Sequence, residues 1–311
     1  MIRKTLTLAA ALALAAWAPP ARAATPPPGR LNVVTSTTDL ADIAGAVGGN
    51  RVSVVHISEG YQDPHFVEAK PSFILRLRNA DVFAFVGLDL EIGWMPLLVD
   101  GARNPKIRQG GSGYLDVSQV IPVLDRASGN VDRSQGDVHP MGNPHYWLDP
   151  ENGRRIARLF RDRFVQLDPA GAAAYRANET AFEGRLNAAE TAWRADLATI
   201  RGKPVVAWHT SWRYFAEYNG MSIVGFMEPK PGVPPSASHL AGLMATIRRT
   251  GAKVIVMEPF YDRRTADLVA SRTGVKVLVL PPSVGGLRGA PVGDYVSLMR
   301  YDVAQLAAAL R

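Results

Sequence analysis

The chain reads as an α/β protein of two lobes, each with a mainly parallel sheet flanked by helices, joined by one long helix. Two observations predict this. Short β-branched runs alternate with amphipathic segments in two separate blocks, the pattern of parallel strands linked by helical crossovers. Between the blocks, residues 171–200 are dominated by Ala, Glu, Arg and Leu, with Tyr175, Phe182, Leu186, Ala189, Trp193 and Leu197 spaced by three, four or seven. That spacing predicts a single amphipathic helix of about 45 Å at 1.5 Å rise per residue. The expected organisation is an N-terminal lobe over 30–168, a connecting helix over 169–201 and a C-terminal lobe over 202–311.

Met1-Ile2-Arg3-Lys4 supplies a positive start, Leu6 to Ala18 an apolar stretch, and Ala21-Arg22-Ala23 a small-x-small cleavage site, so residues 1–23 predict a secretory signal peptide. The apolar stretch is too short to span a bilayer, and Pro19-Pro20 interrupts it. The sequence has no cysteine, hence no acceptor for a lipoprotein anchor and no disulfides to form. A soluble, unanchored, monomeric protein exported to a periplasm is the expectation. Removing residues 1–23 takes away Arg3, Lys4 and Arg22 and lowers the formal charge from +7 to +4. Arg154-Arg155 and Arg248-Arg249 are isolated pairs, and without a cluster of positive charge the chain is not expected to bind nucleic acid.

Along the chain, 24–29 is a proline-rich linker and Leu31–Ser36 opens the first strand. Asp39–Val47 follows as a helix, Val52–Ile57 as a strand, Pro71–Arg78 as a helix and Val82–Val86 as a buried strand. Residues 101–143, rich in Gly, Ser, Asn and Asp, read as irregular. Gly110-Gly111-Ser112-Gly113 within them lacks the spacing and strand-to-helix context of a phosphate loop and reads as a connector. Glu151–Gln166 is helical, and Arg201-Gly202-Lys203 stops the long helix. The second block runs strand Val205–Trp208, helix Trp212–Tyr218, strand Ser222–Phe226, helix Ala237–Thr250, strand Val254–Met257, helix Arg263–Thr273, strand Val275–Leu280 and a terminal helix from Asp294.

Of six histidines in the chain, three lie in comparable turn contexts: His65 in Gln62-Asp63-Pro64-His65, His145 in Asn143-Pro144-His145-Tyr146-Trp147, and His209 in Ala207-Trp208-His209-Thr210. Imidazole is the usual nitrogen ligand of Zn²⁺ and its neighbours, so the three point to one metal site built from distant segments. In open parallel sheets, ligands bind where loops converge at the carboxyl ends of the strands. His65, His209 and Glu258 obey that rule, each following a strand, and His145 precedes a helix. Glu258 is therefore the candidate fourth ligand; its other reading is a buried carboxylate paired with a backbone amide or Arg263. His139 reads as a solvated loop residue or an auxiliary ligand, His56 and His239 as core or capping residues, and Asp39 and Glu228 as helix caps or loop stabilisers. Trp147, Trp208, Trp212 and Tyr214 cluster around the candidate ligands, where an apolar shell would limit water access.

These segments, with Pro71-Ser72, Glu228-Pro229, Pro234-Pro235-Ser236, His239-Leu240 and Glu258-Pro259 in order, resemble the solute-binding proteins of zinc and manganese ABC transporters over essentially the whole mature chain. The resemblance implies two α/β lobes bridged by a rigid helix, a metal ion bound between them and delivery to an ABC-transporter permease. It places His65, His145 and His209 at the first three ligand positions. A histidine at the third resembles the zinc-type branch rather than the manganese type. The family's usual fourth ligand is an aspartate after the last strand; here that strand runs into Leu280-Pro281-Pro282-Ser283, leaving Glu258, His139 or water. The long histidine-rich loop of many zinc-type relatives is missing as well.

Three imidazoles favour Zn²⁺ over the harder Mn²⁺. The contrasting expectation is a secreted zinc hydrolase, with an open metal position and Glu258 or Glu68 as general base. No His-Glu-x-x-His helix supports it, and a catalytic role is not expected. A metal chaperone or adhesin would use the same site with another partner.

Overall fold

A computed structural model describes residues 29–127 and 139–311. The leader and residues 24–28 of the linker lie outside the described residues. Two four-stranded sheets, in which the paired strands all run parallel, form the framework. The first contains β1 (Leu31–Thr35), β2 (Val52–His56), β3 (Val82–Phe85) and β4 (Tyr114–Asp116) in the order β2-β1-β3-β4, with helices α1 (Thr38–Gly48), α2 (Pro71–Arg78) and α3 (Met95–Ala102). The second contains β5 (Pro204–Ala207), β6 (Ser222–Phe226), β7 (Val254–Met257) and β8 (Lys276–Val279) in the equivalent order β6-β5-β7-β8, with α6 (Arg213–Asn219), α7 (Ala237–Thr250) and α8 (Arg264–Thr273). In each sheet the chain leaves the first strand toward one side and later crosses to the other. That reversal opens a crevice at the carboxyl end of β1 and of β5, the place where doubly wound sheets hold ligands.

Between the sheets run α4 (Pro150–Leu167) and the 29-residue α5 (Ala172–Ile200), and α9 (Tyr295–Leu310) closes the chain. Short polar side chains start α4, α7 and α9 as capping chemistry requires. The Asp149 carboxylate accepts from the Glu151 amide, Ser236 from His239, and Asp294 forms a reciprocal capping box with Ser297. Thr37, not Asp39, caps α1. Asp39 instead accepts from the Val284 amide at 3.0 Å, across the sequence in the second lobe.

The region 101–143 holds more structure than its composition suggests: α3 ends in it, and β4 forms the edge of the first sheet. A three-residue strand carries too little periodicity to be read. Its position depends on Gly113, where a Cβ would come within 1.9 Å of the Asp81 carbonyl oxygen.

The lobes share one core. Val33 and Leu40 of the first sheet layer, Phe160 of α4, Phe182 and Leu186 of α5, and Tyr295, Leu298 and Leu306 of α9 belong to one buried cluster, while smaller clusters cover the outer face of each sheet. Hydrogen bonds cross the same seam. Trp147 Nε1 donates to the Pro282 carbonyl at 2.7 Å, the Tyr295 amide to Asp42 at 2.9 Å, and the Tyr214 hydroxyl to the Asn143 carbonyl at 2.9 Å. Opening the lobes as rigid bodies would break this packing, so the scaffold confines motion to loops. Among the described residues, no helix is long and apolar enough to cross a membrane.

Candidate metal centre

His65, His145 and His209 come together between the lobes, each offering one ring nitrogen, and these atoms lie within 4.8 Å of one another. Ring centroids are 5.2 Å apart for His65–His145, 5.5 Å for His65–His209 and 5.0 Å for His145–His209. Imidazoles radiating from a tetrahedral ion at 2.0–2.1 Å would place their centroids about 5 Å apart, so the rings already stand in a metal-binding arrangement.

Local structure sets the orientation of each ring. The Asp63 carboxylate, two residues before His65 and held by Pro64, accepts from the His65 backbone amide at 3.0 Å and from its Nδ1 at 2.6 Å. The Asn143-Pro144-His145 turn repeats the device: Asn143 Oδ1 accepts from the His145 amide and from Nδ1, both at 2.9 Å. His209 leaves the end of β5, and its Nδ1 donates to the Glu228 carboxylate at 2.8 Å. An oxygen acceptor against Nδ1 assigns the proton there and leaves Nε2 with the lone pair, the state that binds a metal. Glu228 also accepts from the Gly232 amide at 3.3 Å, so it stabilises a loop, as its sequence context suggests, and orients His209, which that context does not.

Electrostatics reinforce the pattern. His145 is held well below the ordinary imidazole range, first by burial and then by the neighbouring His209, His65 and His139. Burial alone would raise Asp63, but its hydrogen bond to and charge interaction with His65 leave it below the usual carboxylate range. A neutral imidazole facing inward and an ionised carboxylate behind another ring is the arrangement that strengthens nitrogen donors.

A cavity of about 10 Å³ remains at the centre, lined by the three histidines with Asp63, Trp147, Tyr261 and Pro282 among its walls. That is room for an ion or one water, far short of the roughly 300–1,000 Å³ typical of organic-ligand pockets. The aromatic wall is partly the one anticipated: the Trp147 ring is 5.6 Å from His145. Tyr261, 6.2 Å from His209 and stacked on Trp208 at 5.3 Å, and its neighbour Phe260 complete it, unnoticed in the sequence because no motif marks them.

Glu258 follows β7 and is fully buried, with neither carboxylate oxygen completing a hydrogen bond. Burial pushes it up to about 8, against the opposing influence of the Ser211 hydroxyl. Neither its oxygens nor the nitrogens of His139 belong to the group of three histidines. His139 is a half-buried loop residue whose Nε2 lies 3.1 Å from His65 Nε2 and whose Nδ1 donates to the Leu88 carbonyl at 3.0 Å. His239 takes the structural role its sequence position suggests, its amide donating to Ser236 and its Nε2 to the Phe226 carbonyl. His56 Nδ1 meets the Ser58 carbonyl at 3.1 Å, and the residue stays outside the ligand group.

Comparison with known proteins places this geometry in a group. Residues 33–309 match the model of the family described as ZnuA, zinc-uptake complex component A, periplasmic. The manganese-binding lipoprotein MntA of Halalkalibacterium halodurans is 27% identical over 277 residues, covering 88% of this chain and 86% of that one. The zinc-binding lipoprotein AdcA of Streptococcus pneumoniae is 24% identical over 255 residues, 82% of this chain but only 50% of that longer protein. Among solved structures, a crystal structure of ZnuA superposes with a TM-score of 0.74 at 24% identity, covering 91% of this chain and 100% of that one. A cadmium-bound periplasmic metal-binding protein from Candidatus Liberibacter asiaticus gives a TM-score of 0.75 at 21% identity, with the same coverage. These structural likenesses establish the shared two-lobed fold. Several relatives are named lipoproteins, which runs against the expectation of an unanchored chain; the sequence itself contains no cysteine.

Proposed function

The chain belongs to the family of periplasmic zinc-uptake component A, solute-binding proteins of metal ABC importers, and from that premise we propose that it captures one Zn²⁺ between its lobes and delivers it to an importer permease outside the cytoplasmic membrane. The relatives are named for manganese, zinc and iron, so family membership alone does not choose the metal. The donor chemistry supports Zn²⁺. The observation that carries the reading is three buried or half-buried imidazoles whose Nδ1 atoms are each tied to an oxygen, leaving three Nε2 lone pairs converging on one ion-sized space. Nitrogen donors suit Zn²⁺, whereas Mn²⁺ takes carboxylate and water oxygens and lies at the weak end of the affinity order.

Capture followed by delivery also suits the absence of working space. A hydrolase would need a substrate beside the ion, and the cavity of about 10 Å³ leaves none. The residues His65, His145 and His209 hold the ion, Asp63, Asn143 and Glu228 aim them, and the shared core keeps the lobes from opening widely. Titration calorimetry of the metal-free protein with Zn²⁺ should give a stoichiometry of one per chain. Binding of two or more ions with similar affinity, or Mn²⁺ bound more tightly than Zn²⁺, would overturn the proposal, and loss of growth in zinc-depleted medium on deletion tests the delivery step.

A further inference from the structure

Resting on that reading of the chain as a zinc carrier, we propose that His139 is a fourth imidazole ligand, so that the shell is built of four nitrogens and no carboxylate. The starting point is the contact between two Nε2 atoms, His65 and His139, at 3.1 Å. Each ring's other nitrogen faces an accepting oxygen: Asp63 Oδ1, which also accepts from the His65 amide, for His65 and the Leu88 carbonyl for His139. Both protons therefore reside on Nδ1, and two lone pairs face each other. Such a pair repels unless a proton or a cation lies between. Two nitrogens on one tetrahedral ion with bonds of 2.0–2.1 Å would be about 3.3 Å apart, close to the distance found.

The His139 centroid is 5.2 Å from that of His65, matching the roughly 5 Å of a tetrahedral tetrad, and 6.3 Å from that of His145, a wider spacing that metal binding would close, since His139 stands just outside the group of three histidines. The acceptor that orients His139 is itself held in an uncommon conformation. Gly87, Leu88 and Asp89 are consecutive left-handed residues, with φ of 80°, 53° and 65°, and non-glycine residues pay for that region with steric strain. The buried Glu91 carboxylate holds the turn by accepting from the Val86 and Gly87 amides at 2.7 and 3.0 Å. On the other side of His139, the Gly142 amide donates to the His139 carbonyl at 3.0 Å, and Gly142 (φ 117°) occupies a place where a Cβ would meet Val123 Cγ1 at 2.1 Å. A strained turn and an obligatory glycine together fix where this imidazole points.

Four nitrogens also answer the departure at the end of β8. There the chain presents Pro281 and Pro282, and the Pro282 carbonyl is occupied by Trp147 Nε1. A shell without oxygen discriminates more sharply against Mn²⁺ than a shell of three imidazoles and a carboxylate. Glu258 then remains a buried carboxyl group outside the shell.

Extended X-ray absorption of the zinc-loaded full chain counts the ligands without any substitution, and four imidazoles per zinc are expected. In His139→Gln, the count should fall to three nitrogens and one oxygen. Chelator competition should show Zn²⁺ affinity roughly tenfold to a thousandfold weaker, with Mn²⁺ affinity changed much less, since the lost donor is a soft one. His239→Gln is the control and should match the wild type. Three imidazoles with one oxygen in the wild type, or His139→Gln binding zinc as tightly as the wild type, would overturn the inference and assign the close Nε2 pair to a shared proton. An oxygen lost in Glu258→Gln but not in His139→Gln would overturn it in favour of Glu258. Failure of the wild type to bind one Zn²⁺ would instead defeat the carrier reading.

Discussion

Replacing Glu228 by Gln isolates the residue that aims His209 without touching a ligand. The wild-type carboxylate accepts from His209 Nδ1 at 2.8 Å, and the pair is buried, with side chains 3% and 9% exposed. A hydrogen bond to a charged group contributes about 1.5–3 kcal/mol and a neutral one about 1 kcal/mol. Glutamine keeps an acceptor oxygen in place, so the ring orientation survives while the charge is lost. The expected cost to zinc binding is thus about 1–2 kcal/mol, roughly 5- to 30-fold in Kd. That magnitude falls near the range seen when partners behind metal ligands are removed. Competition against a chelator of known affinity reads the Kd, and thermal unfolding of the metal-free protein checks that the fold is intact. A Kd within twofold of wild type, in a variant with unchanged metal-free stability, would show that Glu228 neither orients nor polarises His209.

Alanine at His65, His145 or His209 should each weaken Zn²⁺ binding by at least about a hundredfold, because each removes one donor from a closed shell, while His56→Ala and His239→Ala stay near wild type in the same chelator titration. Asp39 is raised to about 7, chiefly by burial, so between about pH 4 and 7 the folded state holds a proton that the unfolded chain releases. Stability of the metal-free protein should therefore fall as pH rises through that window, by up to about 4 kcal/mol. Asp39→Asn should flatten the slope in urea unfolding at pH 5 and pH 7.5, and an unchanged slope would refute the assignment. Phe182, fully packed on α5 with its ring 6.1 Å from Tyr295 of α9, joins the core shared by the lobes. Phe182→Ala should cost about 3–5 kcal/mol in chemical denaturation and leave a single cooperative transition, whereas two separate transitions would show that the lobes fold independently.

The sequence by itself determined which segments fold and where the three histidines of the candidate site would come from. Strands such as Val254–Met257 and helices such as Ala237–Thr250 are written in local periodicity and capping, and both appear with the same bounds. The strand-end rule singled out His65 and His209, and the Asn143–Pro150 signature His145, because motifs that hold a ring in a turn are local in sequence. Asp63 and Asn143 lie two residues from the histidines they orient, so their context was legible too. What lay beyond reading was anything decided by approach through space. Glu228 reaches His209 from the end of a neighbouring strand, and Leu88 meets His139 from 51 residues away. The strand β4 exists because Gly113 lets two backbones close, not because three residues favour a strand. The choice between Glu258 and His139 is of the same kind. Both are candidate donors as residue types and both stand outside the group of three histidines, and only the packed structure puts His139 Nε2 at 3.1 Å from His65 Nε2 while leaving the Glu258 oxygens buried without a completed hydrogen bond. Periodicity and turn chemistry act over a few residues, whereas a coordination shell is set by angles between elements, which only the shared core of the two lobes fixes.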